Sequence, residues 1–303
     1  MERLNKFKAL KFNENVDALI EEMVKEVLSD KNLCDELHKI NINTRGELKR
    51  NISIIHAYKE EKDYCKKCPG FDKCDKRRPH YQTVLNYNGK FFNNYLTPCH
   101  LKIEDEKKDR LYLTRDFPKE WRDVSFDDLA PKPLLKAKKD AISRFINSQN
   151  NSRNWIYIYG NHLSGKSYLA TYMINTATTL GKTCAFLDFP NQLKRMSDLS
   201  YAYKEEAFEL LKKYQEADVL VLDNFGDEYK NDYIRDNFTL PLLNERARNS
   251  RMTIFTSTFS YNEIRDMYIT SLAGKAKAKQ IENLLKEYCE EPFDISTLIY
   301  QGS

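Results

Sequence analysis

Gly160-Asn161-His162-Leu163-Ser164-Gly165-Lys166-Ser167 decides the reading of this chain. It meets the phosphate-loop pattern G-x-x-x-x-G-K-[ST] at every fixed position. Before it runs Trp155-Ile156-Tyr157-Ile158-Tyr159, an apolar stretch rich in β-formers. After it, Tyr168-Leu169-Ala170-Thr171-Tyr172-Met173-Ile174 can open a helix. Strand, glycine loop and helix are the context the motif needs. The glycines let backbone N–H groups crowd around a phosphate, and the helix N-terminus adds positive potential. Gly160, Asn161, His162, Leu163, Ser164, Gly165, Lys166, Ser167 and Tyr168 are therefore expected to hold ATP. In this arrangement Lys166 reaches the β- and γ-phosphates and Ser167 ligates Mg2+. The competing reading is a chance glycine turn before a helix, and a lysine and a serine both in register weigh against it.

A phosphate loop needs an acid on a later strand to serve the metal. Val219-Leu220-Val221-Leu222-Asp223 supplies one, four apolar residues followed by a carboxylate at the strand's C-terminal end. The all-apolar run suits a strand buried in a parallel sheet. Around it, helix and strand patterns alternate. Helices are expected over 134–148, 166–180, 191–214, 233–248 and 272–289, and strands over 155–159, 183–188, 219–222 and 252–256. Such alternation implies an α/β fold, a parallel sheet covered by helices on both faces. Met252-Thr253-Ile254-Phe255-Thr256-Ser257-Thr258 reads as the strand that brings a polar sensor, Thr258, beside the γ-phosphate. An ordinary strand-end threonine is the alternative.

The 303 residues suit two domains and a small third module. A 41% hydrophobic content is enough for a core. No run approaches the roughly 18 apolar residues of a membrane span, and Met1 to Lys6 has no apolar stretch behind it, so a cytoplasmic protein is expected. The net charge of +4 is concentrated: residues 61–110 carry 12 Lys and Arg against 8 Asp and Glu. That segment suits nucleic acid or an acidic protein face, or is simply a solvated surface. Residues 1–60 read as a helical region, with apolar positions at helical spacing over 13–28 and 31–40, then a capping box at Thr44-Arg45-Gly46-Glu47. Residues 61–110 form the cysteine module, 111–125 a linker, and 126–303 the nucleotide-binding domain.

Seven cysteines in such a chain argue against a disulfide framework. Four of them, Cys65, Cys68, Cys74 and Cys99, fall close together. Cys65-Lys66-Lys67-Cys68 has the C-x2-C spacing of a zinc knuckle, in which one tight turn grips one edge of a metal. The closing pair must come from Cys74, His80, Cys99 and His100. A hairpin turning at Asn86-Tyr87-Asn88-Gly89 would return Pro98-Cys99-His100 to the knuckle. Free cysteines or an iron–sulfur cluster are the other readings of the same residues.

Several segments together resemble the bacterial primosomal replicative-helicase loaders, the DnaI/DnaC type of AAA+ ATPase. They are Val124-Ser125-Phe126-Asp127-Asp128-Leu129, Gly160 to Ser167, Phe186-Leu187-Asp188-Phe189-Pro190, Leu222-Asp223-Asn224-Phe225-Gly226-Asp227-Glu228 and Phe255-Thr256-Ser257-Thr258-Phe259. The resemblance covers most of the chain. It implies an AAA+ phosphate-loop domain preceded by a small helical domain with a zinc module. It also implies that ATP, Mg2+ and Zn2+ are bound, with Cys65, Cys68, His80 and Cys99 as the zinc ligands. The implied partners are the hexameric replicative DNA helicase and single-stranded DNA, with a homo-oligomer forming on the helicase. The implied work is DNA replication initiation or restart, and no membrane is involved.

Three departures bear on catalysis. Asn224 stands where the loaders carry a second acid, and an amide cannot take a proton. Glu228 is the candidate substitute, ahead of Asp227. Thr258 stands where the sensor is usually Asn. The helix around Lys275 to Lys286 lacks the family's arginines, which lysine does not replace at a forked contact; Arg246, Arg248 and Arg251 are the alternatives. The expected catalytic set is thus Lys166, Asp223, Glu228 and Thr258, with ATP binding expected and hydrolysis weighed against. Two other functions compete with the loader. One is an ATP-binding adaptor of the same fold with weak or no catalysis. The other is a transposition-type helper ATPase with a zinc DNA-binding module. Tyr201, Tyr203, Lys204, Tyr229 and Lys230 are candidates for stacking and charge contacts with single-stranded DNA.

Overall fold

The structure is a computed structural model that describes residues 12–129, 136–148, 155–289 and 291–296. It divides into two compact units, residues 1–107 and 108–303.

In the first unit α1 (Phe12–Ser29), α2 (Lys31–Lys39), α3 (Arg45–Arg50) and α4 (Ile52–Lys66) precede a two-stranded hairpin, β1 (Tyr81–Val84) and β2 (Tyr95–Pro98). Helix α5 (His100–Leu111) follows, and the division falls within it. Val24, Val27, Leu33, Leu37, Ile42, Leu48, Ile52 and Ile55 form the core, and Leu85 seals it. The Thr44–Glu47 capping box forms, with each side chain bound to the other's backbone. The helix it starts stops at Asn51, whose amide donates to the Glu47 carbonyl at 2.8 Å. A side chain competing for backbone groups in this way favours a helix boundary over a helix interior. The hairpin is antiparallel, with Tyr81 opposite Pro98 and Val84 opposite Tyr95.

The second unit is built on a six-stranded, all-parallel sheet. Its strands are β3 (Tyr112–Arg115), β4 (Ile156–Tyr159), β5 (Cys184–Asp188), β6 (Val219–Asp223), β7 (Met252–Ser257) and β8 (Phe293–Asp294), in the order β3-β5-β6-β7-β4-β8. Between the strands run α6 (Lys136–Asn147), α7 (Lys166–Thr179), α8 (Phe189–Ala202), α9 (Lys204–Glu216), α10 (Asp232–Ile234), α11 (Leu240–Arg248), α12 (Tyr261–Met267) and α13 (Lys275–Cys289). The alternation of the pleat sorts each strand onto two cores. Leu220, Leu222, Tyr157, Ala185, Leu187 and Phe255 face one core, while Val219, Val221, Ile156, Ile158, Phe186 and Ile254 face the other. Uninterrupted apolar strands are what burial on both faces demands.

Three expectations differ from what the structure shows. Residues 111–125, read as a linker, carry edge strand β3, which pairs with β5, and a 3-10 turn over Lys119–Trp121. The helix expected over 191–214 begins earlier and breaks at Tyr203, after which Glu205 and Glu206 favour a new N-terminus. The 233–248 helix holds a π-helical turn over Arg235–Thr239, just before Pro241, which has no N–H to continue the regular ladder. Leu134 and Leu135, the expected start of α6, lie outside the described residues.

Arg246 is a pin within the second unit. Its guanidinium is fully buried and donates to Thr253 Oγ1 at 2.9 Å and to the carbonyls of Tyr214 (2.8 Å), Gln215 (3.2 Å), Ala217 (2.7 Å) and Met252. It ties the end of α9, the entry to β6 and the start of β7 together. Burial pulls its pKa down to about 9, still charged at neutral pH. Arg246→Met leaves several buried carbonyls without donors and is expected to cost about 3–5 kcal/mol in urea denaturation; a loss below about 1 kcal/mol would contradict the pin.

Candidate nucleotide site

Strand β4 delivers the chain to the loop at the C-terminal edge of the sheet, flanked by β7 and β8. Gly160 donates its N–H to the Ser257 carbonyl at 3.2 Å, which anchors the loop to β7. Its φ is +151°, and a Cβ there would stand 2.8 Å from the Ser296 backbone nitrogen, so no side chain fits. Gly165, at φ +85°, is the N-cap of α7 in the left-handed region. These two glycines let 161–164 wrap back over the start of α7, with the Ser164 N–H donating to the Asn161 carbonyl at 3.2 Å. Lys166 lies beneath the wrap and donates to the carbonyls of Gly160 (2.9 Å) and Asn161 (2.8 Å). The loop therefore folds on its own lysine. Ser164 is buried, and among the described residues its hydroxyl has no partner.

Asp223 ends β6 in direct register with Asp188, which ends β5. It is buried, and burial together with the neighbouring Asp188 charge raises its pKa. The hydroxyls of Thr256 and Ser167 and the charge of Lys166 work the other way. Thr256 on β7 donates to Asp223 Oδ1 and accepts the Asn224 N–H at 3.1 Å. One hydroxyl thus fixes both Asp223 and the backbone that follows it. Lys166 is itself pushed down by burial, with Asp223 and Asp227 opposing. The net result is two adjacent acids and one half-desolvated lysine at the edge of a sheet.

The structure places the other expected residues as follows. Asn224 sits at φ +59° in a tight turn closed by the Asp227 N–H on the Asn224 carbonyl at 3.1 Å. That turn brings Asp227, exposed, within electrostatic reach of Lys166. Glu228 points into the core instead. It accepts the Gly226 N–H at 2.7 Å and the Tyr268 hydroxyl, and burial raises its pKa. Thr258 is exposed, one residue past the end of β7. His162 and Leu163 form the exposed crest of the loop, and Tyr168 packs edge-on against Trp121 at 5.3 Å. Arg246 is the buried pin, Arg248 pairs with Glu245 at 2.8 Å, and Arg251 pairs with Asp218. Of the aromatic and basic candidates, Tyr201 and Tyr229 are 81% and 78% exposed. Lys230 instead turns inward onto the Gly226 and Glu228 carbonyls.

In the first unit, Cys65 falls in the last turn of α4, and Cys65, Cys68, Cys74, His80, Cys99 and His100 line one small cavity. His80 stacks on Phe71 at 4.0 Å, and its carbonyl accepts the Cys99 N–H at 2.9 Å. Among the described residues, no three Cys, His, Asp or Glu side chains are arranged to hold a metal ion. Glu61 on α4 pairs with Lys76, which lines this cavity, and accepts from Thr83 on β1. Burial opposes its charge, yet bonds from Thr83 and Lys76 hold its carboxyl below the usual range.

No protein-family model matches the chain. The replicative helicase loader DnaI of Bacillus subtilis (strain 168) is 21% identical over 279 residues, spanning 88% of this chain and 88% of that protein. Among solved structures, a crystal structure of DnaI superposes with a TM-score of 0.54 at 21% identity, covering 62% of this chain and 98% of that one. A putative primosome component from Streptococcus pyogenes serotype M3 gives a TM-score of 0.49 at 20% identity, covering 62% and 94%. The chain is similar to the DnaI/DnaC type of helicase loader. Its fold is α/β with a parallel sheet, and the second unit's fold is like that of the DnaI crystal structure. No described helix is long and apolar enough to cross a membrane.

The raised pKa of Asp223 has a definite sign. The native state keeps this proton to higher pH than the unfolded chain, so stability falls as pH rises from the ordinary carboxylate range through the raised value. At neutral pH the buried charge is a cost to the native state. Asp223→Asn keeps the acceptor for Thr256 and removes the charge. It is expected to raise the melting temperature of the ligand-free protein at neutral pH by about 2–4 °C per kcal/mol recovered, to have no effect below the carboxylate range, and to abolish any Mg2+-dependent nucleotide stabilisation. Scanning calorimetry at the two pH values checks this.

Proposed function

We propose that this chain is a replicative-helicase loader that binds ATP with Mg2+ at Gly160–Ser167 and Asp223. The observation that carries the reading is the pairing of a closed phosphate loop with a buried, under-neutralised Asp223 beside Ser167, at the edge of a parallel sheet. The donor set fits the group. Ser167 and Asp223 would hold Mg2+, directly or through its water, and the loop's backbone N–H groups would take the phosphates. Lys166 would leave the Gly160 and Asn161 carbonyls for the phosphates. The bound metal would supply charge neutralisation for the phosphate chain. Thr256 holds Asp223 in place, and Asn224, with no proton to take, leaves hydrolysis without the usual adjacent base. The replicative DNA helicase as partner follows from the similarity to DnaI; for single-stranded DNA the support is the exposed Tyr201, Tyr203 and Tyr229 as stacking candidates.

The first unit would hold the helicase, with Cys65, Cys68, His80 and Cys99 as a zinc set. What supports that set is the shared cavity and the donor chemistry, two thiols from one turn and a Cys–His pair joined by a backbone hydrogen bond. Bound zinc would staple a segment with little core of its own. A second reading, an adaptor for which ATP is a conformational ligand, is favoured by Asn224 and by the engagement of Glu228 with Tyr268.

The test is nucleotide binding and ATP turnover by the full chain, alone and with single-stranded DNA and its cognate helicase. Mg·ATP binding is expected, weakened about tenfold or more by Lys166→Ala. Turnover abolished by that variant makes the chain an ATPase loader. Binding without turnover in every mixture favours the adaptor, and no binding overturns both.

A further inference from the structure

Helix α6 opens with Lys136-Ala137-Lys138-Lys139 and has no acid in its first turn. That reverses the usual bias, since a helix N-terminus repels cations and attracts anions. Helix α6 packs on β4, β8 and α7, so its first turn reaches the phosphate loop. The Lys138 ammonium lies 3.3 Å from where a Cβ on Gly165 would be, at the N-cap of α7. A second helix N-terminus thus points its positive end at the same lysine. Lys138 is half-buried, and burial is the cause that acts on its pKa, which it lowers. Among the described residues, no acid offsets it.

Two cationic features therefore meet without an anion among the described residues: Lys138, in the first turn of α6, and the N-terminus of α7. Lys166 differs, because the Gly160 and Asn161 carbonyls already satisfy it. In the same loop the buried Ser164 hydroxyl lacks a partner among the described residues. Groups held in mutual repulsion around a concave backbone mark a place where a ligand supplies the missing charge.

We propose that Lys138 is a second phosphate-binding lysine, reaching the polyphosphate chain of the bound nucleotide from α6, across the loop from Lys166. This rests on the nucleotide reading above. Its chemistry is narrower, because it requires a polyphosphate and not a nucleoside. In the absence of ligand Lys138 is a cost, so removing it should not weaken the empty protein.

The test uses the full chain with Mg2+ and compares wild type, Lys138→Met and Lys138→Arg by calorimetric titration and thermal melting. The probes are ATP, AMP and inorganic tripolyphosphate. Lys138→Met is expected to melt no lower than wild type when empty. It should bind ATP and tripolyphosphate about tenfold more weakly and leave AMP unchanged, and Lys138→Arg should recover most of the loss. Equal ATP and tripolyphosphate affinity in wild type and Lys138→Met overturns the assignment of Lys138 while leaving the nucleotide site standing. A lower melting temperature for empty Lys138→Met, not rescued by Lys138→Arg, assigns the residue to packing and also overturns it. Tripolyphosphate binding that depends on Lys138, without ATP binding by wild type, upholds the lysine and overturns the nucleotide reading. Failure of wild type to bind either probe overturns both.

Discussion

The buried carboxylate of Asp223 is the constraint around which the second unit is arranged. A charge taken out of water must be neutralised, bonded or protonated. Here Thr256 and Ser167 provide the bonds, and Lys166 provides part of the countercharge from beneath the loop. Asp188, one strand away in register, adds a second negative charge and makes the deficit worse. The edge of the sheet thus holds more negative charge than it neutralises, a little below a loop and helix end that hold more positive charge than they neutralise. In the proposed function a metal ion and a phosphate chain would answer both imbalances at once.

The fold keeps that arrangement rigid. Parallel strands with both faces buried set the heights of Asp188, Asp223 and Ser257 to within the register of the sheet. Arg246 locks the incoming ends of β6 and β7 from the opposite edge. Gly160 and Gly165 then fix the loop through conformations that side chains would oppose. The turn after β6 is held to β7 by the Phe225 N–H on the Thr256 carbonyl at 2.8 Å and by the Ser257 hydroxyl on the Phe225 carbonyl at 2.6 Å. Glu228 is drawn into the core by this turn, and Asp227 is left exposed on the loop side.

What could be read from the residues alone follows from which signals are local. The phosphate loop and Asp223 are local: each is a short motif next to an apolar strand, and both fall where the sequence put them. The capping box at Thr44 and the hairpin around Asn88-Gly89 are local as well. That Thr256, Asp188 and Lys138 stand beside Asp223 and the loop is not legible in the sequence, because strand register and helix packing join residues far apart in the chain. Strand β3 was missed because four residues, Tyr112-Leu113-Thr114-Arg115, carry too little pattern to separate an edge strand from a linker. The sequence reading places Glu228 ahead of Asp227 as the substitute acid. The Asn224 turn, with its positive φ, rotates the following residues so that the nearer acid faces Lys166 and the farther one meets Tyr268.

The most direct measurement of the central claim is a crystal structure of the full chain with Mg2+ and a non-hydrolysable ATP analogue. The expected result is phosphates cradled by the backbone of 160–167, Lys166 moved from the Gly160 and Asn161 carbonyls onto them, and a metal ion between Ser167 and Asp223. Crystals grown with saturating analogue that show the loop still closed on Lys166, with the nucleotide elsewhere or absent, would contradict it.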